Sequence, residues 1–125
     1  MKYLLLVISL AISAQNADGC SPAKDSTRIA VGGGSITEIL YFLGVEKKIV
    51  ALDITSNYPP KAKSLPSIGY VRNLSAEGIL SLRPTLILGE DDIGPSEVVS
   101  QIKSMGIDLV VIEEEHSADG IVKKI

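Results

Sequence analysis

The sequence predicts an α/β fold, a parallel sheet of about four strands with helices on both faces. Three observations carry that expectation. From Arg28 onward, apolar runs of strand length alternate with segments of helical periodicity. The strand runs are apolar throughout, which suits strands buried on both faces. Glycine, proline and capping residues stand at most of the junctions. A chain of 125 residues suffices for one domain with a real core and is short for two.

The elements follow in order. "RIAVGG" is a β-branched run ending in the glycines Gly32 to Gly34. In "SITEILYFLG", Ser35 offers an N-cap, with Glu38 at capping-box spacing and Gly44 as terminator. Ile36, Ile39, Leu40 and Leu43 fall on one helical face. "KIVALD" is the second strand. The loop from Ile54 to Gly69 carries Pro59, Pro60 and Pro66 and is too proline-rich for a helix or a central strand. Ser75 caps the short helix "AEGILSLRP", which Pro84 stops. "TLILGE" is the third strand, and "PSEVVSQIKSMG" a helix from Pro95 to Gly106. "DLVVIEE" is the fourth strand, and "HSADGIVKKI" reads as the first turns of another helix.

The leader "MKYLLLVISLAISAQNADGC" has one basic residue, an apolar run from Tyr3 to Ala14, then small and polar residues. That is the layout of a secretory signal, too short for a permanent membrane span. The single cysteine, Cys20, ends it. "ADGC" resembles a bacterial lipobox, although Asp18 fits that pattern poorly; the alternatives are a stray thiol or cleavage after Ser13 or Ala14. The expected division is residues 1–20 as signal and lipobox, 21–27 as a tether, and 28–125 as the folded unit. The protein is expected to be exported, periplasmic or held at a membrane through Cys20. A formal charge of -3 without a Lys/Arg cluster argues against nucleic acid as a partner.

Ligands of parallel sheets bind where the strand carboxyl ends gather their loops. Here those loops are Gly32 to Ser35, Ile54 to Leu74, Gly89 to Gly94 and Glu113 to Ala118. "GGGS" is neither a dinucleotide fingerprint nor a P-loop and reads as a tight turn with close backbone approach. The acids Glu90 to Asp92 and Glu113 to Glu115 read as a solvated rim, with a small exported hydrolase using Glu90 or Glu113 as the enzymatic alternative. His116 is the sole histidine, so a multi-histidine metal site is excluded.

Tyr70 and Arg72 lie in the longest of these loops. In an extended segment, residues i and i+2 project to the same side. A neighbouring guanidinium favours the phenolate, and a phenolate suits ferric iron, tyrosine being a known axial ligand of haem. Arginine also pairs with carboxylates such as a propionate. The alternative is a ring packed on the domain beside a solvated arginine.

The order of residues from Arg28 to about Ile112 resembles the N-terminal lobe of the extracytoplasmic solute-binding proteins that serve ABC importers. "TEILYFLG", "YPP" and "LSLRP-T-LIL" resemble the wider group of siderophore, cobalamin and haem carriers. "GY-R-LSAEG", residues Gly69, Tyr70, Arg72, Leu74, Ser75, Ala76, Glu77 and Gly78, resembles the haem branch. The resemblance implies one lobe of a two-lobe protein that captures haem and delivers it to an inner-membrane permease, without enzymatic chemistry. It implies Tyr70 as the haem-iron ligand, Arg72 as its support and Glu77 as the acid that docks on the permease. It also implies a connecting helix and a C-terminal lobe beyond this chain, and some relatives take a histidine from that lobe; His116 stands too early to be its counterpart. Cobalamin or a ferric siderophore is the alternative cargo on the same fold.

Overall fold

The structure is a computed structural model that describes residues 21–125. The expected signal, the lipobox and Cys20 lie outside the described residues. Its centre is a four-stranded parallel sheet, β1 (Ile29–Gly32), β2 (Ile49–Leu52), β5 (Leu86–Glu90) and β6 (Asp108–Ile112), in the order β2-β1-β5-β6. A hairpin of β3 (Gly69–Tyr70) and β4 (Asn73–Leu74) stands apart from it. The helices are α1 (Gly34–Phe42), α2 (Ala76–Ser81), α3 (Ser96–Ser104) and α4 (Ala118–Lys124), with 3-10 turns at Glu46–Lys48 and Pro60–Ser64.

Alternation along each strand sends side chains to two separate cores. Ile29, Val31, Leu86 and Leu88 pack with Ile36, Leu40 and Tyr41 of α1. Ala30, Ala51, Ile87 and Leu109 face the opposite way, against Ile79 of α2 and Ile102 of α3. Helices therefore cover both faces, as the fully apolar strands require. Ile36, Ile79, Ile87 and Ile102 are fully buried, and each such side chain contributes roughly 1.5–3 kcal/mol from removal of its surface from water. The small residues Ala30 and Ala51 on the second face leave room for two helices to approach the sheet.

Two terminations follow the sequence closely. After α1, Gly44 adopts φ 73°, its N–H donates to the Tyr41 carbonyl, and Val45 N–H donates to the Leu40 carbonyl. This paired closure needs the left-handed conformation that glycine adopts at no steric cost. Ser75 caps α2, its Oγ accepting from Gly78 N–H at 3.3 Å. The start of α1 differs from expectation. Its N-cap is Gly33, at φ 140°, and no side chain caps it. Ser35 lies inside the first turn, where its hydroxyl donates to Glu90 Oε1 at 2.6 Å. A partner from β5 has taken the hydroxyl that the capping-box spacing assigned to the helix itself.

The segment 21–27 carries no helix or strand. It follows the sheet edge, with Lys24 N–H donating to Asp108 Oδ2 at 2.7 Å and Ala23 packed beside the α1-side core.

Candidate functional site

All four strands are parallel, so Gly32, Leu52, Glu90 and Ile112 bring their following loops to one end of the sheet. Asp53, at the end of β2, is 3% exposed and organises that end. Its Oδ1 accepts from Gly33 N–H at 3.1 Å and Ser56 Oγ at 2.8 Å; its Oδ2 accepts from Thr55 N–H at 3.1 Å and Thr55 Oγ1 at 2.7 Å. A buried carboxylate is tolerated only when its lone pairs are met in this way. Ser56 in turn bonds Thr37 of α1 at 2.8 Å. The glycine turn is thus filled from within, with the anion supplied by the protein itself and Gly34 lying close to the Thr55 carbonyl. The sequence held no signal for this arrangement beyond an acid at a strand end.

Tyr70 and Arg72 are brought to the same end by the β3–β4 hairpin. Tyr70 pairs with Asn73, leaving Val71 and Arg72 as the two turn residues. This corrects the extended geometry expected for the pair: Tyr70 ends a strand and Arg72 sits in the turn after it. No asparagine–glycine signal marks the turn, which made it illegible in the sequence. Val71 is buried over Gly32, which seats the hairpin on the carboxyl end of β1. Gly94 N–H donates to the Val71 carbonyl at 3.0 Å, and Leu74 N–H to the Gly94 carbonyl at 2.9 Å. Ile54 N–H donates to the Gly69 carbonyl at 2.9 Å. The hairpin is held on two sides, by the loops after β2 and β5.

Tyr70 is 41% exposed. The loop after β2 also exposes Ile54 and Tyr58, apolar groups that the sequence reading did not single out. Arg72 Nε donates to Asp92 Oδ2 at 2.5 Å. The hydrogen bond to Asp92, then the charge of Asp92, then that of Tyr70, raise the guanidinium above its ordinary value. Asp92 belongs to the run expected as a solvated rim; it is instead half-buried and committed to Arg72.

The remaining acids divide. Glu90 packs its side chain against Gly33, accepts from Ser35 and pairs with Lys124 Nζ at 3.6 Å. Lys124 also donates to Ser35 Oγ at 2.6 Å and to Glu114. The hydrogen bond from Lys124 and its charge hold the Glu114 carboxyl below the usual range. Glu113 and His116 are exposed. Among the described residues no group of three or more His, Cys, Asp or Glu could hold a metal ion. Glu77 is exposed in the first turn of α2 and makes no ion pair among the described residues.

Comparison with known proteins accounts for this layout. The vitamin B12-binding protein of Yersinia pestis (strain Pestoides F) is 32% identical over 95 residues, covering 76% of this chain and 34% of that protein. The periplasmic haem-binding protein RhuT of Roseiflexus sp. RS-1 superposes with a TM-score of 0.75 at 44% identity, over 80% of this chain and 38% of that one. A periplasmic haem-binding protein of Pseudomonas aeruginosa superposes with a TM-score of 0.75 at 36% identity, over 78% and 35%. The chain therefore spans about a third of the length of these relatives. Residues 29–122 match the family described as periplasmic binding protein, so the chain belongs to that family of solute carriers.

Proposed function

We propose that the protein is the haem-capturing component of an ABC importer, with Tyr70 as the iron ligand and Arg72 as its electrostatic support. The observation that carries the reading is an exposed tyrosine at the end of the first strand of a fixed hairpin whose turn carries Arg72, at the carboxyl end of the sheet. Tyrosine is a known axial ligand of haem iron, and arginine pairs with carboxylates such as a propionate. Ile54 and Tyr58 offer exposed apolar surface to a porphyrin, whose affinity comes largely from buried apolar area. The haem-binding relatives support the same cargo.

The protein works by capture and handover without enzymatic chemistry. It is exported by the leader at residues 1–20, with Cys20 as a lipid-anchor site, and residues 28–125 form the N-terminal of two lobes. Glu77 docks on the permease; its place in the first turn of α2 also complements the helix dipole.

Hemin added to the full-length protein should give a visible spectrum characteristic of tyrosinate-bound ferric haem. Tyr70→Phe should abolish that spectrum and weaken binding; an unchanged spectrum and affinity would remove the ligand assignment. The B12-binding relative favours a second cargo, cobalamin. Under that reading binding tolerates Tyr70→Phe, and competition between hemin and cobalamin decides.

A further inference from the structure

A parallel sheet has two unlike ends, and in this chain they differ in charge. The helices after β1 and β5 return to the starts of β2 and β6, so the last turn of α1, the Glu46–Lys48 turn and the last turn of α3 gather at the amino ends of the strands. The acids Glu90 to Asp92, Glu113 to Glu115 and Asp119 stand at the opposite, carboxyl end. The bases there are committed: Arg72 to Asp92, Lys123 to Glu115, and Lys124 to Glu90 and Glu114. At the amino end Lys47, Lys48, Lys63 and Lys103 are exposed and make no ion pair among the described residues.

One corner of that amino end is also apolar. Phe42, at the end of α1, and Leu43 after it are 82% and 52% exposed. Lys61 reaches Glu46 at 3.7 Å and lies 4.9 Å from the centre of the Tyr41 ring, which brings the Pro60–Ser64 turn against the end of α1 and the Glu46–Lys48 turn. Lys47, Lys48, Lys61 and Lys63 therefore share the corner that carries Phe42. An acidic protein would answer the lysines and leave the ring in water. A bilayer answers both: the ring enters the boundary between headgroups and acyl chains, while the ammonium groups stay at anionic headgroups with their stems along the apolar side.

We propose that this corner is a docking surface for an anionic phospholipid bilayer. The acids of the carboxyl end have the same sign as the lipid, so the field of the protein favours one orientation, with the carboxyl end and Tyr70 facing away from the membrane. A contact made by a few lysines and one ring is reversible, so the acidic end is free to turn toward a membrane partner at handover.

The test is cosedimentation with vesicles of the full-length protein started at Ser21, so that neither the leader nor a lipid at Cys20 contributes. It should bind vesicles of equimolar phosphatidylglycerol and phosphatidylcholine and not those of phosphatidylcholine alone. Salt at about 1 M, where the screening length is about 3 Å, should release it. Lys47→Ala and Lys48→Ala should each lower the partition about fivefold, the scale of one basic residue at an anionic surface. Phe42→Ser should lower it about tenfold through lost apolar burial. These positions are exposed, so the variants keep the fold. Lys123→Ala removes the same charge from the acidic end and should leave the partition unchanged. An equal loss from Lys123→Ala, or equal binding to neutral and anionic vesicles, overturns the docking surface. So does an absence of vesicle binding, including the case in which these lysines hold the acidic end of a second copy, seen as salt-sensitive self-association lost in Lys47→Ala. Failure here leaves Tyr70 as the iron ligand, and an unchanged hemin spectrum in Tyr70→Phe leaves this surface standing.

Discussion

Glu90 and Asp92 stand two residues apart at the end of one strand, yet they take different partners. Glu90 turns inward, onto Gly33, Ser35 and a Lys124 whose side chain is 10% exposed. Asp92 turns toward the hairpin and holds an arginine that remains mostly in solvent. The first arrangement ties α4 and α1 to the sheet; the second joins the hairpin turn to the loop after β5. Removing one partner from a charge network shielded from water leaves an uncompensated charge and is strongly destabilising, whereas an exposed pair contributes little to stability. One acidic run thus supplies both a shielded network and an exposed pair at the same end of the sheet.

The contrast is broken most directly at Asp53, the deepest acid of the frame. Asp53→Ala leaves the Gly33 and Thr55 amides and two hydroxyls without their acceptor, and should destabilise the fold by about 3 kcal/mol. Urea unfolding of the full-length protein measures it, and an unchanged midpoint would remove Asp53 as the organiser of this end.

Lys124→Met tests the middle of the range. It strands Glu90 and Glu114 and should lower the local opening free energy of α4 by about 2 kcal/mol, read as lost amide protection in α4 with β5 unaffected. The same pair carries a pH dependence. The folded-state Glu114 carboxyl lies below its ordinary value, so its contribution is present above the ordinary glutamate range and is lost as pH falls through the depressed value. Acid should loosen α4 in the wild type, and that acid-dependent step should be absent from Lys124→Met.

The smallest expected effect on stability belongs to Arg72→Ala. The guanidinium is exposed, so the unfolding midpoint should stay at the wild-type value while hemin affinity falls. A shift as large as that of Asp53→Ala would make the hairpin pair part of the stabilising frame.

The sheet and its helices were legible because burial imposes a period on the sequence. Fully apolar runs marked the strands, Ser75 marked the start of α2, and Gly44 marked the end of α1. The β3–β4 hairpin was hidden: its strands are two residues long and its turn, Val71 and Arg72, lacks residues that favour a positive φ. Ser35 misled because a capping-box spacing describes only what a helix does for itself. Glu90, 55 residues away, claimed the hydroxyl.

What the sequence determined alone is therefore the local: strand and helix identity, several of their ends, the parallel class, and the presence of Tyr70 and Arg72 at the carboxyl end of the sheet. The tertiary structure decided the pairings. Asp53 reaches Gly33, Asp92 reaches Arg72 and Glu90 reaches Lys124 only because parallel strands deliver distant loops to one end of the sheet. A charge has no periodicity by which to announce its partner; proximity in the folded chain selects it.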